Sequence, residues 1–197
     1  MDPEIKIRPA TPDDYRELAR LYRALMEDQH KYDPYLQLDP RFDAEGLLKI
    51  MLLSGRHKFF LAEHDGKPVG FFQVNILLGD QLVQLEPSQL ETDFQKLAPL
   101  RILRKALRLM LGWIEPKVLV PPTFKSFKAG HMPNAYVAPE YQGQGIYRRF
   151  AEAVLEWFKQ NQVNLIYASA FHENQQVIAF WQKRGFQVLN STLRKEI

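Results

Sequence analysis

A chain of 197 residues with a formal net charge of +3 fits one domain with room for an elaboration. It contains no cysteine, which excludes disulfides, thiolate catalysis and cysteine-ligated zinc. The start of the chain is acidic without an apolar core, and no run is apolar enough to span a bilayer. We therefore expect a cytoplasmic protein with no signal peptide and no membrane partner.

The first 78 residues predict a strand, two helices and a hairpin. Thr11 followed by Pro12 is typical of the start of a helix. Asp65-Gly66 is a turn signal between two strand-like runs. The predicted elements are a strand at Ile5–Arg8, a helix from Thr11 to about His30, a helix at Asp43–Leu53, and strands at Lys58–Glu63 and Val69–Leu78.

A long basic segment, residues 79–130, follows the third predicted strand. Compact domains rarely keep so long a connection without secondary structure, and the pattern predicts a helix over residues 97–113. The basic character of the chain belongs to this segment. Eight basic residues and one acidic residue, Glu115, lie between Phe94 and Gly130: Lys96, Arg101, Arg104, Lys105, Arg108, Lys117, Lys125 and Lys128.

The stretch Ala135–Phe158 carries the main functional signal. Its strand is predicted to stop at Pro139, which lacks a ladder N–H group, and Gly143 and Gly145 allow a tight loop. From Ile146 onward apolar residues recur at the helical period. A strand, a glycine loop and a helix N-terminus form an anion site, because free N–H groups converge and the helix dipole adds positive potential. We expect a phosphate or pyrophosphate ligand.

The spacing within this loop separates the known phosphate-binding patterns. A nucleoside-triphosphate P-loop needs Gly-Lys-Ser/Thr, which the sequence lacks, and a dinucleotide loop needs a small residue where Arg148 stands. The remaining pattern, Gln142-x-x-Gly145-x-Tyr147, resembles the acetyl-CoA pyrophosphate loop of the GNAT superfamily of N-acyltransferases, Gln/Arg-x-x-Gly-x-Gly/Ala. Tyr147 departs from that pattern at its last position.

Segments on both sides of the loop are also similar to GNAT domains. The opening Ile5–Ala10, with Asp13-Asp14 after it, matches the first strand and helix cap of the family. After the loop come a predicted buried strand at Leu165–Ala170, then Asn174, a helix around Trp181, and Gly185-Phe186 leading into a last strand near Phe186–Leu193.

The resemblance implies an α/β fold in which residues 1–197 form a single GNAT-type domain. Its mixed, mostly antiparallel sheet would be flanked by helices, with a splayed central strand pair and residues 79–130 inserted between the third and fourth strands. It also implies an enzyme that moves an acetyl group from acetyl-CoA to a primary amine of a small molecule or protein. The amine would attack directly in a ternary complex, since no cysteine is present to carry the acyl group.

For the cofactor, the resemblance places the thioester carbonyl near the Val137 N–H group. Asn174 would hydrogen-bond the pantetheine arm, cap the following helix, or do both. The pyrophosphate would bind main-chain donors of Gln142, Gly143, Gln144, Gly145, Ile146 and Tyr147.

The catalytic acid and base are less well specified. Many family members have a tyrosine acid where this chain has Trp181, and an indole N–H is a donor but not a usable acid. Tyr136 and Tyr147 are the candidate substitutes. His131 is the candidate base because its intrinsic pKa suits proton transfer near neutral pH, and His172 is a second candidate.

Two alternatives remain open at this stage. One is a non-catalytic acyl-CoA-binding or sensory GNAT-like domain; the other is a nucleic-acid or membrane-surface protein built around the basic segment. The main interpretation expects no specific nucleic acid and no metal, and leaves a homodimer open. In that interpretation residues 79–130 pack on the domain and act as a lid that attracts an acidic acceptor or the CoA phosphates.

Overall fold

The computed structural model describes residues 5–78, 127–192 and 194–195. The chain divides into two compact units, one made of residues 1–75 with 130–197 and the other of residues 76–129. The predicted helix at 97–113 and nearly all of the predicted insertion at 79–130 lie outside the described residues. The helices within the described ranges all belong to the first unit.

The described elements form a six-stranded sheet flanked by helices, in which β1 pairs with β2, β2 with β3 and β3 with β5, each time antiparallel. The sheet order is β1-β2-β3-β4-β6, with β5 pairing to β3 beside this path. This confirms the predicted mixed, mostly antiparallel α/β fold. The strands are β1 (Lys6–Pro9), β2 (Lys58–His64), β3 (Lys67–Leu78), β4 (Lys128–Met132), β5 (Ala135–Val137) and β6 (Leu165–Ala168), and the helices are α1 (Tyr15–Asp28), α2 (Ala44–Leu53), α3 (Ile146–Gln160) and α4 (Gln175–Gln182).

Local signals account for the first half of the fold. The Asp43 carboxylate accepts a hydrogen bond from the Gly46 N–H group at 2.9 Å and caps α2. Asp65 and Gly66 both have positive φ, 51° and 73°, as a tight hairpin turn with the twist of its strands requires. The predicted strand, helices and hairpin of residues 5–78 are therefore confirmed.

The two faces of the sheet pack against different helices, because successive side chains of a strand point to opposite faces. Phe71 of β3 faces α1 and stacks against Tyr22 with the ring centroids 5.8 Å apart. Its neighbour Phe72 faces the other way and contacts Phe150 of α3 and Trp181 of α4. The cluster on the α1 face, called the α1 cluster below, consists of Leu18, Ala19, Leu21, Tyr22, Ala44, Leu48, Met51, Phe59, Leu61 and Phe71.

The connection between β4 and β5 shifts by one residue which side chains face α1 and which face α3. A Cβ atom on Gly130 would meet the Phe158 ring of α3 at 2.6 Å, so Gly130 faces α3 and the next residue, His131, faces α1. Asn134 also faces α1, because its Nδ2 donates to Gln73 Oε1 at 2.8 Å on the face of Phe71. A regular strand would place positions 131 and 134 on opposite faces, and the break at residues 133–134 brings them to the same one.

The predicted last strand near 186–193 is wrong for the residues described there. Residues 186–192 have irregular structure, and Val188 and Leu189 are 66% and 73% exposed. A strand needs a partner edge, whereas this segment is held by other contacts: the Phe186 ring packs on Trp181, and Arg194 pairs with Asp33 at 2.7 Å.

The predicted burial of the strand at 165–170 is also wrong. The strand ends at Ala168, and Leu165 is 45% exposed. The cause is its position, since β6 is the last strand of the sheet in the described ranges and therefore has an edge that no described strand covers.

Candidate active site

The glycine loop between β5 and α3 has the backbone that the sequence predicts. Gly143 and Gly145 have φ values of 78° and 76°, a region that strains any residue with a Cβ atom. A Cβ atom added to either glycine would meet nothing within 4 Å. The backbone of this loop is therefore open to close approach by a ligand.

The N-terminus of α3 supplies hydrogen-bond donors beside this loop. Arg149 N–H donates to the Gly145 carbonyl at 3.1 Å, which is the first bond of the helical type. The N–H groups of the preceding first-turn residues, Ile146 to Arg148, have no intrahelical acceptor. These donors and the helix dipole fit the predicted anion site.

Val137 has its N–H group on the side of β5 that does not face β3. On the β3 side the bonds come from alternate residues: Asn134 C=O accepts from Gln73 N–H at 2.8 Å, and Ala138 N–H donates to Val69 C=O at 2.9 Å. Backbone groups alternate in direction along a strand, so the amide of Val137 points away from β3. The Val137 carbonyl accepts from Gln142 Nε2 at 2.9 Å, so the loop closes back onto the strand.

The open side of β5 corresponds to the predicted splay. Ser169 N–H still donates to the Met132 carbonyl at 3.3 Å, so the chain after β6 stays bonded to the end of β4. Beyond this point β5 pairs with β3 and with no other strand of the described ranges. The Val137 amide therefore has no strand partner among the described residues, on the strand that leads into the glycine loop.

His131 and Tyr136, the predicted catalytic residues, lie on the α1 face. His131 is 9% exposed; its Nε2 lies 3.1 Å from Ser169 Oγ, and its buried Nδ1 has no partner among the described residues. Burial lowers the pKa of this imidazole to about 4, so the ring is neutral at pH 7. Tyr136 packs against the α1 cluster, and burial, followed by the Asp28 charge, raises its pKa.

A network of polar side chains on the same face was missed by sequence reasoning. Gln73 Nε2 lies 3.1 Å and Asn75 Oδ1 3.0 Å from His57 Nδ1, and Gln73 in turn accepts from Asn134. Burial lowers the pKa of His57, opposed by its hydrogen bond to Asn75. The available signal was the pair of polar residues at alternate positions of an otherwise apolar β3.

Tyr147 has its ring in the core on the α3 and α4 side of the sheet. The ring contacts Phe72 and, edge to face at 4.8 Å, Phe180. Its hydroxyl accepts a hydrogen bond from Trp181 Nε1 at 3.1 Å. Burial raises the pKa of Tyr147 to about 12, partly offset by the indole donor. Sequence spacing contained no signal for this contact between positions 147 and 181.

The remaining predicted residues lie on the segment after β6. The Asn174 side chain accepts from the Val177 N–H group at 3.3 Å and caps α4, which confirms the capping alternative. His172 is exposed. Across the described ranges no group of three or more histidine and carboxylate side chains is arranged to hold a metal, and none of the helices there has the length and apolar character to cross a membrane.

Comparison with known proteins points to the same part of the chain. The model of the acetyltransferase (GNAT) family matches residues 104–186, a range that contains β5, the glycine loop, α3 and α4. No curated protein sequence shows significant similarity to the chain. The resemblance to GNAT acetyltransferases predicted from the loop is confirmed.

Solved structures share the fold over nearly the whole chain. A tetramutant of the BH1408 protein from Bacillus halodurans has a TM-score of 0.67 at 17% identity, covering 98% of this chain and 99% of that one. A ribosomal-protein-alanine N-acetyltransferase from Brucella melitensis has a TM-score of 0.58 at 12% identity, covering 98% and 100%. A predicted acetyltransferase from Clostridium acetobutylicum, solved with acetyl-CoA, has a TM-score of 0.58 at 14% identity, covering 98% and 96%. At these identities the similarity shows a shared fold and no more than that.

Proposed function

We propose that this protein is an acetyl-CoA-dependent N-acetyltransferase that acts on a primary amine of a small molecule or protein. One observation carries the proposal. The outward amide of Val137 and the open glycine loop lie on one continuous run of chain, joined by the bond from Gln142 to the Val137 carbonyl. A thioester and a pyrophosphate lie at the two ends of the pantetheine arm of an acyl-CoA, and such a run of chain would bind both.

The residues present fit this donor. Main-chain N–H groups of the loop and of the first turn of α3 would hold the pyrophosphate, and the space around Gly143 and Gly145 leaves room for it. Acetyl-CoA supplies an activated thioester carbonyl when bound. The Val137 N–H group would donate to the carbonyl oxygen, where negative charge develops during attack by the amine.

The amine would approach from the α1 face, where His131 and Tyr136 lie. His131 is neutral at pH 7 and its buried Nδ1 has no partner among the described residues, but a pKa of about 4 makes the imidazole a weaker base than its intrinsic value predicts. We propose that this imidazole accepts the proton that the amine loses, directly or through a water. Tyr136 would orient the amine, since its raised pKa keeps the phenol protonated as a hydrogen-bond donor.

Replacement of Gly145 tests the donor site. Gly145→Glu places a negative side chain where the pyrophosphate would bind, so CoA affinity measured by calorimetry should be abolished. The matched control is Gly55→Glu, because Gly55 also has positive φ, 65°, with nothing within 4 Å of an added Cβ atom. Both variants carry the same kind of backbone strain, and the control should bind CoA normally. Unchanged affinity in a folded Gly145→Glu protein would overturn the assignment.

A non-catalytic acyl-CoA-binding or sensory domain is the second candidate. It is favoured by Trp181 at the position where the family often has a tyrosine acid, and β4 and β5 carry no carboxylate. CoA release measured against a panel of amines separates the two functions. Turnover with any amine supports the enzyme, whereas tight CoA binding without release across the panel supports the binding domain.

A further inference from the structure

The hydroxyl of Tyr147 has an unused donor. Its oxygen accepts from the Trp181 indole at 3.1 Å, and the described residues supply no acceptor for its own hydrogen. A phenol can both donate and accept. The residue as a whole is partly buried, and its hydroxyl hydrogen has no acceptor in the contacts of the described residues.

The fold places this hydroxyl close to the open side of β5. Tyr147 is the second residue of α3, directly after the glycine loop, and its ring lies 5.8 Å from that of Phe72. Trp181 contacts the same phenylalanine at 6.3 Å. Phe72 is paired across the sheet with Ala135, two residues before Val137. The phenol and indole therefore lie near β5 on the α3 side of the sheet, on the face opposite His131 and Tyr136.

We propose that the Tyr147 O–H group donates a hydrogen bond to the sulfur of the acyl donor, and that Trp181 positions this hydroxyl. The inference rests on the proposed function and assigns the side chain of Tyr147 a role beyond its main chain. When the carbon–sulfur bond breaks, the electron pair stays on sulfur as a thiolate. Tyr147 keeps its proton and stabilises that charge, while the proton of the amine leaves on the α1 face.

The acidities of the phenol and the thiol indicate that Tyr147 donates a hydrogen bond without transferring its proton. The pKa of Tyr147 is raised to about 12, whereas a thiol has a value near ~8.5. Moving the proton to the thiolate is thus uphill by about 3.5 pKa units, so the phenol acts as a donor and not as an acid. The indole strengthens it, because a hydroxyl that accepts a hydrogen bond becomes a better donor.

Binding measurements test the inference without turnover. Wild-type protein should bind CoA more tightly than desulfo-CoA at alkaline pH, by roughly tenfold for a hydrogen bond to a charged group, and should lower the pKa of the bound thiol, followed by thiolate absorbance. Tyr147→Phe should lose both effects while keeping its affinity for desulfo-CoA. Trp181→Phe, which retains the ring and removes the N–H donor, should lose part of them. Tyr141→Phe, on the turn before the loop, is the control and should behave as wild type.

A double variant tests whether the hydroxyl itself, rather than its position on α3, is what matters. Tyr147→Phe combined with Trp181→Tyr moves a hydroxyl from α3 to α4 within the same ring contact, and should recover part of the preference for CoA over desulfo-CoA. A folded Tyr147→Phe protein with an unchanged preference and an unchanged thiol pKa would overturn this inference alone. Failure of the wild type to bind CoA or desulfo-CoA would overturn the proposed function with it.

Discussion

Gln142 donates its side-chain amide to the carbonyl of Val137 across 2.9 Å. The bond fixes the carbonyl of the residue whose N–H group points into the splay, and it fixes the first residue of the glycine loop. The two ends of the candidate CoA site are thereby held in one geometry. We therefore expect a change at the loop to affect the thioester end of the candidate site through this contact.

Removal of this bond should weaken CoA binding. In Gln142→Ala the Val137 carbonyl loses its partner, and a partly buried hydrogen bond contributes about 1 kcal/mol, so calorimetry should show affinity reduced about fivefold. Gln160→Ala is the control, because it removes an exposed hydrogen bond from Gln160 to Glu156 at the C-terminal end of α3, far from the loop in sequence. Equal affinities in the two variants would contradict the coupling.

Acidification should destabilise the fold through His131. Its pKa is lowered to about 4 in the folded protein, against about 6.5 in an unfolded chain. Above the unfolded value the ring is neutral in both states and contributes no pH dependence. As the pH falls from there towards 4, the unfolded chain takes up a proton that the folded protein does not, so stability falls, by roughly 3 kcal/mol in all.

Urea unfolding between about pH 7.5 and about pH 4 measures this loss. His131→Gln should flatten the decline, because an amide has no proton to gain. The pH dependence that remains in His131→Gln includes a contribution from His57, whose pKa is also lowered by burial. His172→Gln changes an exposed histidine and should leave the decline as it is. An identical slope in wild type and His131→Gln would show that the imidazole is not the source.

Asn174 allows its two predicted roles to be separated. Asn174→Ala removes the cap of α4 and should lower the free energy of unfolding by about 1 kcal/mol, whereas Asn174→Asp keeps an oxygen for the Val177 N–H group and should retain stability. If the amide also donates to the pantetheine arm, CoA affinity falls in both variants. Normal affinity in Asn174→Asp would leave the cap as its whole function.

The basic segment is tested by charge reversal. Arg104 and Arg108 lie outside the described residues, and we propose that the positive charge of residues 79–130 attracts the CoA phosphates or an acidic acceptor. The double variant to glutamate should raise KM, more at low salt than at high salt. Arg16→Glu with Arg41→Glu, two exposed arginines elsewhere, matches the change in net charge. Normal kinetics at low salt together with lost liposome binding would contradict this attraction and support a membrane-surface role for the segment.

Features set by neighbouring residues were predictable from the sequence. The α2 helix, expected over Asp43–Leu53, is capped by Asp43 and covers Ala44–Leu53, and both loop glycines have positive φ. Contacts between distant positions were not predictable: Tyr147 meets a residue 34 positions away, and Gln73 of β3 meets His57, the residue directly before the neighbouring strand β2. The prediction of a last strand near 186–193 was wrong for the same reason, because a β-prone run forms a strand only where another strand is available to pair with it.

The connection between β4 and β5 is two residues long, and the candidate site depends on that length. A strand repeats every two residues, so a shift by one exchanges its faces. With one residue fewer between Met132 and Ala135, Tyr136 would turn towards α3, and the Val137 amide would enter the ladder with β3 instead of pointing away from it. A single-codon deletion here would therefore remove the proposed oxyanion donor while every residue proposed for the site remained encoded.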